Sequence, residues 1–247
     1  MTDALGWRKK FGVLAPSTNT IVEPDFYRMT VPGVTSHFSR IHIHDQNIAD
    51  DSQMEALLDQ IRDEIIHSVD RVMTAEVDYL VMGMSAETFW GGMEGNRQFV
   101  KRLEDHSGLK VASGAEACEQ ALNLFKAKKI GVITPYQEIG DRNVIKFFED
   151  LGVEVLAIKG LRCPTAVDIA HVSEDRLREA IQEVNVDGVE AIVQAGTNLS
   201  MVQLADEAER WLQKPVIAIN AATWWLALRN NDIHEKIYGC GRLLREF

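Results

Sequence analysis

Eight short apolar runs recur along the chain, separated by longer stretches that are mostly apolar on one side only. The runs are FGVLAP (11–16), SHFSRIHIH (36–44), VDYLVMG (77–83), LKVAS (109–113), KIGVITP (129–135), VEVLAIKG (153–160), VEAIVQAG (189–196) and PVIAIN (215–220). Most are continuous rather than alternating, as strands covered on both faces are. The clearest intervening stretch, 52–75, repeats Met54, Leu57, Leu58, Ile61, Ile65, Ile66, Val69 and Val72 at helical spacing. Strand–helix alternation of this kind predicts an α/β fold with parallel sheets.

The runs also repeat in order. GVLAP (12–16) returns as GVITP (131–135), 119 residues on, and VDYLVMGMS (77–85) returns as VEAIVQAGT (189–197), 112 residues on. KVASGAEACEQAL (110–122) and PVIAINAATWWLAL (215–228) share a short strand followed by a helix that starts on small residues. An internal duplication into two similar lobes facing each other across a cleft is therefore expected. Ligands of parallel sheets bind beyond the carboxyl ends of the strands. Those ends are PSTNT, GMSAE, TPYQE and AGTNLS, all rich in hydroxyl, amide and glycine.

Composition narrows the partners. The 247 residues suffice for one large domain or two small lobes, and 46% hydrophobic with 26% charged residues is ordinary globular composition. A formal net charge of −11 argues against nucleic acid and anionic membrane surfaces. No apolar run approaches the ~20 residues of a membrane span. No signal peptide is read at the start, and the three widely spaced cysteines, Cys118, Cys163 and Cys240, make no framework. A reducing cytoplasm is the expected compartment. There is no GxGxxG, GxxxxGK[ST] or GxSxG motif. His42 and His44 are spaced for a metal pair but lack a third ligand, so no metal is expected.

The loops carry the candidate chemistry. Ser17, Thr18, Asn19 and Thr20, in APSTNT, can cap the next helix and donate to a carboxylate, with Ser17 and Asn19 the candidates for ligand binding. Ser85, flanked by Met84 and Ala86, sits just past a buried run, where a hydroxyl and a backbone N–H suit an oxyanion. Glu87 is the carboxylate nearest that strand end, and a buried glutamate can act as a base. Tyr136 follows Thr-Pro at the fifth strand's exit, and Gly196, Thr197 and Asn198 open the last loop. These positions predict a cleft for a small carboxylate. Trp90 could either wall that cleft or pack, while Trp224 and Trp225 are expected to pack. Apolar helices such as 222–230 are expected to serve a homo-oligomer interface.

The same segments resemble the arylmalonate decarboxylase and maleate cis–trans isomerase group of the aspartate/glutamate racemase superfamily. GVLAPSTNTIVEPDFYRM (12–29) is similar to the opening of maleate isomerases, and LVMGMSAETFWGG (80–92) to the first catalytic loop of arylmalonate decarboxylases. KKIGVITPYQEIGDRNVIKFFEDLG (128–152) matches the tyrosine-bearing segment of both, and 191–228 the second catalytic loop. The resemblance implies two Rossmann-like lobes related by a pseudo-twofold, each with a mainly parallel four-stranded sheet flanked by helices. The lobes are expected at 1–110 plus 222–247 and at 111–221, with the site between them. It also implies cofactor-free chemistry beside a carboxylate, with Ser85 and Tyr136 as carboxylate-binding hydroxyls and Asn19 as the isomerases' first-loop asparagine.

One departure matters. The family's two cysteine positions fall on Met84 and Gly196, and none of the three cysteines lies in a catalytic loop. A thiol is the group expected to move the proton. Three readings follow. The first is an enzyme of related chemistry using Glu87, Tyr136, Thr197 or a bound water. The second is changed chemistry in the same cleft, hydrolysis or lyase cleavage. The third is a protein that binds a small acid or a partner without catalysis.

Overall fold

The computed structural model describes residues 3–48 and 50–247. Strands β1 (Lys9–Pro16), β2 (Val34–Ile41), β3 (Tyr79–Met82) and β4 (Val111–Ala112) form one parallel sheet in the order β2-β1-β3-β4. Strands β5 (Lys129–Thr134), β6 (Glu154–Gly160), β7 (Ala191–Gln194) and β8 (Val216–Ala218) form a second in the order β6-β5-β7-β8. The two sheets repeat in register as well as in order. Phe11 lies opposite Tyr79 as Ile130 lies opposite Ala191, which are the positions paired by the sequence repeat. The α/β fold with two four-stranded parallel sheets is thus as the sequence implies.

Around the sheets lie α1 (Val22–Arg28), α2 (Asp51–Met73), α3 (Ala86–Phe89), α4 (Gly92–Ser107), α5 (Gly114–Phe125) and α6 (Glu138–Asp150). The chain continues through a 3₁₀ turn (Asp168–His171), α7 (Glu174–Val184), α8 (Val202–Leu212), α9 (Ile219–Arg229) and α10 (Arg242–Glu246). Helices on both faces explain the continuous apolar runs: β3 and β7 are buried at every residue, whereas the edge strand β2 mixes buried and half-buried positions. Helix α2 begins where Asp50 caps it, accepting from the Gln53 N–H at 2.9 Å. It buries Met54, Leu57, Leu58, Ile61, Ile65, Val69 and Val72, as its spacing predicts, and leaves Ile66 half-buried.

Two elements differ from the sequence reading. Strand β2 ends at Ile41 rather than at 44, because its only partner, β1, ends at Pro16 opposite Ile41 and the ladder has nothing further to pair with. His42 and His44 therefore leave the sheet, and their rings meet edge to face 4.9 Å apart. Helix α9 is buried along nearly its whole length, against α1, α5, α10, β3, β4 and β8. Its apolar character is consumed inside the chain, so it offers no face to a second copy. Trp224, at its centre, packs on Phe11 and Phe26 and donates its indole N–H to the Met29 carbonyl at 2.7 Å. Strand β4, at 111–112, belongs to the first sheet.

Candidate active site

In each sheet the strand order turns at the first and third strands of the repeat, β1/β3 and β5/β7, and the crevice beyond such a turn is where parallel sheets bind ligands. The exit loops at 17–21, 83–85, 135–137 and 195–201 meet there and enclose a cavity of about 60 Å³. Its polar wall holds Thr18, Asn19, Ser85, Tyr136, Thr197 and Asn198. Met84, Ala86 and Gly196 also line it. The rest of the lining is largely apolar: Ile43 and Ile48, Met54, Leu57 and Ile61 of α2, and Ile169. Thr18 and these apolar residues were not among the sequence candidates. The α2 residues had a visible signal, the stripe at helical spacing, but a stripe that lines a cavity reads the same as one that fills a core.

The loops of the two sheets bind each other directly. Ser85 Oγ lies 2.7 Å from the Tyr136 hydroxyl, and Asn19 Nδ2 donates to Thr197 Oγ1 at 3.1 Å. By the repeat, Ser85 and Thr197 are equivalent positions, so each hydroxyl is met by the opposite half of the chain. The Thr197 N–H donates to Ser85 Oγ at 3.2 Å, and the Thr20 N–H donates to Asn198 Oδ1 at 3.0 Å.

Counting hydrogens shows what remains for a ligand. Asn19 Oδ1 accepts from the N–H groups of Ile21 and Val22, both at 3.0 Å, which fixes its amide so that Nδ2 faces Thr197. Thr197 Oγ1 is thus an acceptor in that bond and keeps its own hydrogen to give. Within the Ser85–Tyr136 pair one hydroxyl hydrogen is spent on the pair and one is left over, whichever oxygen donates. These two pairs therefore leave two O–H donors unspent on the polar wall. Burial pushes the Tyr136 pKa up from its ordinary value, against a downward pull from Ser85, so the phenol stays protonated. Among the described residues Tyr136 is the only ionisable side chain lining the cavity.

Ser17 and Glu87 stand elsewhere than expected. Ser17 Oγ accepts from the Ile43 N–H at 3.1 Å and lies 3.3 Å from the Ile43 carbonyl, so it ties two loops together outside the cavity lining. Glu87 also lies outside the lining and accepts from Arg62 Nε at 2.8 Å. Burial pushes its pKa up while Arg62 pulls it down, and its second oxygen is buried with no partner among the described residues. Asn19, Ser85, Tyr136, Thr197 and Asn198 are brought together. Trp90 is half-buried against the core and does not line the cavity.

No cysteine lines the cavity among the described residues. Cys118, Cys163 and Cys240 are buried, and burial pushes their thiols up to about 12, about 11 and about 11. A thiol at Gly196 is sterically closed, since a Cβ there would sit 2.6 Å and 2.8 Å from the ring carbons of Pro135. Gly196→Cys is expected to cost about 1–3 kcal/mol by overpacking. Urea denaturation measures it, and an unchanged midpoint would show that the Pro135 ring gives way freely.

Comparison with known proteins places the chain. The model of the arylmalonate decarboxylase family matches residues 24–244. Maleate isomerase of Pseudomonas putida is 25% identical over 248 residues, covering 95% of this chain and 96% of that protein. Maleate isomerase of Alcaligenes faecalis is 23% identical over 244 residues, with 95% and 96% covered. Among solved structures, a Nocardia farcinica maleate cis–trans isomerase mutant with a covalently bound succinylcysteine intermediate has a TM-score of 0.85 at 20% identity, covering 97% of this chain and 99% of that one. An arylmalonate decarboxylase has a TM-score of 0.72 at 19% identity, covering 95% and 98%. The match of the family model over most of its length, on a fold of two repeated sheets with the exit loops joined at one cavity, means that this chain belongs to the arylmalonate decarboxylase family.

Proposed function

We propose that the chain is a cofactor-independent enzyme that decarboxylates a small malonate-type acid bearing an apolar substituent, with hydroxyl groups doing the work of the family's thiols. The observation that carries this reading is the chemistry of the cavity wall: two O–H donors left unspent by the Ser85–Tyr136 and Asn19–Thr197 pairs, the phenol in the first of them neutral, and, among the described residues, no carboxylate, imidazole or thiol. Racemisation by proton abstraction needs a base, and thiol-addition isomerisation needs a nucleophile. Decarboxylation needs neither, because breaking the carbon–carbon bond leaves the electron pair on the substrate. It needs donors for the charge that collects on the retained carboxylate, and a proton.

Both are at hand. The retained carboxylate accepts from Thr197 Oγ1 and from the polar wall beside Asn198, and these donors strengthen as it becomes an enediolate. The departing carboxylate faces Ile43, Ile48, Leu57 and Ile61, where an ionised group is poorly solvated and neutral carbon dioxide is not. The free hydrogen of the Ser85–Tyr136 pair then passes to the carbanion carbon, and water restores it, so one proton enters per turnover. Maleate, which bears no apolar substituent, matches this wall less well.

The test is proton NMR in D₂O with phenylmalonate, butylmalonate, maleate, aspartate and a diaminobutyrate derivative. Loss of carbon dioxide from the substituted malonates, with one deuterium placed on the α carbon, is the expected result. Isomerisation of maleate, or saturable line broadening of the acids without turnover, would overturn it in favour of a hidden nucleophile or of a binding protein.

A further inference from the structure

We propose that the two donor loops are held in place by two analogous arginine clamps, Arg40 on the first and Arg162 on the second, and that both arginines are positioning residues for the reaction. Arg40 stands on β2 opposite Ala15, at the end of the ladder. It donates to the Asn19 carbonyl at 2.7 Å and to the Pro16 carbonyl at 3.4 Å, and pairs with Glu23 of α1. Arg162 stands two residues past the end of β6. It donates to the Tyr136 carbonyl and, at 2.6 Å, to Asp141 of α6. In both halves an arginine from the second strand's end holds the carbonyl of a cavity residue and is itself held by a carboxylate on the helix that follows.

The second clamp grips both sides of its loop. The Tyr136 N–H donates to Thr134 Oγ1 at 3.2 Å, and that hydroxyl donates to the other oxygen of Asp141. One buried carboxylate therefore fixes the peptide groups before and after Tyr136. Arg162 itself has φ +56°, in the left-handed region, as do Glu76, Lys126, Gln213 and Asp232.

The need for a clamp follows from where the loops lie. Carbonyls past the strand ends have lost their ladder partners and must find donors elsewhere. A forked guanidinium supplies several from one rigid group, whereas lysine supplies a point charge. Neither arginine lines the cavity, and each is neutralised by its own carboxylate, so they act on the loops rather than on a ligand. The inference rests on the proposed function only for its kinetic consequence; the positions of the loops are its direct content.

The test compares Arg162→Lys with Arg162→Met and Arg40→Lys, using protein labelled with ¹³Cζ-tyrosine. The chain has four tyrosines, and Tyr136→Phe assigns the line of interest. In the parent protein Tyr136 is expected to give a single line that does not titrate at moderately alkaline pH. Both Arg162 variants are expected to shift and broaden that line and to let the phenol titrate. With a substrate in hand, Arg162→Lys and Arg40→Lys each lower kcat by about 10–100-fold, as small displacements of positioned groups do, with KM within about threefold. A Tyr136 line unchanged in Arg162→Lys and Arg162→Met, or full activity of Arg162→Lys beside a crippled Arg162→Met, would overturn the clamp, the latter by showing that charge alone suffices. If Arg162→Met does not fold, Arg162→Lys and Asp141→Asn carry the same measurement. If the parent protein turns over no acid, the functional reading fails and the tyrosine line still decides the clamp.

Discussion

Tyr136→Phe is expected to lower kcat by about 10²–10⁴-fold while KM stays within a few-fold. The phenol is buried, neutral and 2.7 Å from Ser85 Oγ, and it is the only ionisable group on the cavity wall among the described residues. Phenylalanine keeps the ring and its packing. Thr197 Oγ1 still accepts from Asn19 at 3.1 Å and keeps its hydrogen for the ligand, so the carboxylate retains that donor and binding survives. What is lost is the phenol that, hydrogen-bonded to Ser85, orients the pair's free hydrogen toward carbon and stabilises the oxygen it leaves. Steady-state decarboxylation assays check the split. An unchanged kcat would remove Tyr136 from the chemistry, and a large rise in KM alone would make it a binding group.

Asp25→Asn is expected to stabilise the protein by about 3 kcal/mol at pH 8 and by nothing at pH 4. Asp25 is buried beneath the site, and burial raises its pKa from 3.8 to about 6, against the pull of an Asn220 hydrogen bond at 2.8 Å and the nearby Arg28. Because the folded value lies above the unfolded one, the native state holds the proton more tightly. Wild-type stability is therefore highest below about pH 4 as far as this group is concerned, and it falls as pH rises toward about 6 and the carboxyl ionises. Asparagine cannot ionise and escapes that cost. Urea unfolding of both proteins from pH 4 to pH 8 measures the gap, and a gap independent of pH would contradict it. The same amide links this group to the site, since Asn220 Nδ2 also donates to the Thr197 carbonyl at 3.0 Å. With its N–H on Ser85, its hydroxyl on Asn19 and its carbonyl on Asn220, Thr197 is fixed at every polar atom.

Local chemistry was legible where one segment settles it. The apolar stripe of α2 names its buried face. The duplication was legible because GVLAP and GVITP, and YLVMG and AIVQA, carry the same burial demand at the same place in each sheet. Asn19, Ser85, Tyr136, Thr197 and Asn198 stood out because polar donors past a fully buried strand have no helix or sheet role large enough to absorb them all. Glu87 misled because Arg62, which engages it, lies on α2, and nothing near Glu87 in the chain announces that pairing. Ser17 misled for the same reason: its partner is the backbone of Ile43. The 222–230 helix misled because apolarity on all sides reads alike whether the cover is another chain or the same one.

The sequence by itself determined the parallel α/β class, the doubling, the four exit loops and most of the donors they present. These follow from periodicity and from the residues allowed at a strand's end, which are short-range properties. Only the tertiary structure decided that Ser85 meets Tyr136 and that Asn19 meets Thr197, across 51 and 178 residues of chain. It alone decided that Ile43, Leu57 and Ile61 line the same cavity as these donors, and that Arg40 and Arg162 bind the loops from the ends of neighbouring strands. The physical reason is that a hydrogen bond depends on the distance and direction of its two atoms. Two sheets closing on one cavity set both between residues whose positions in the chain carry no trace of the meeting.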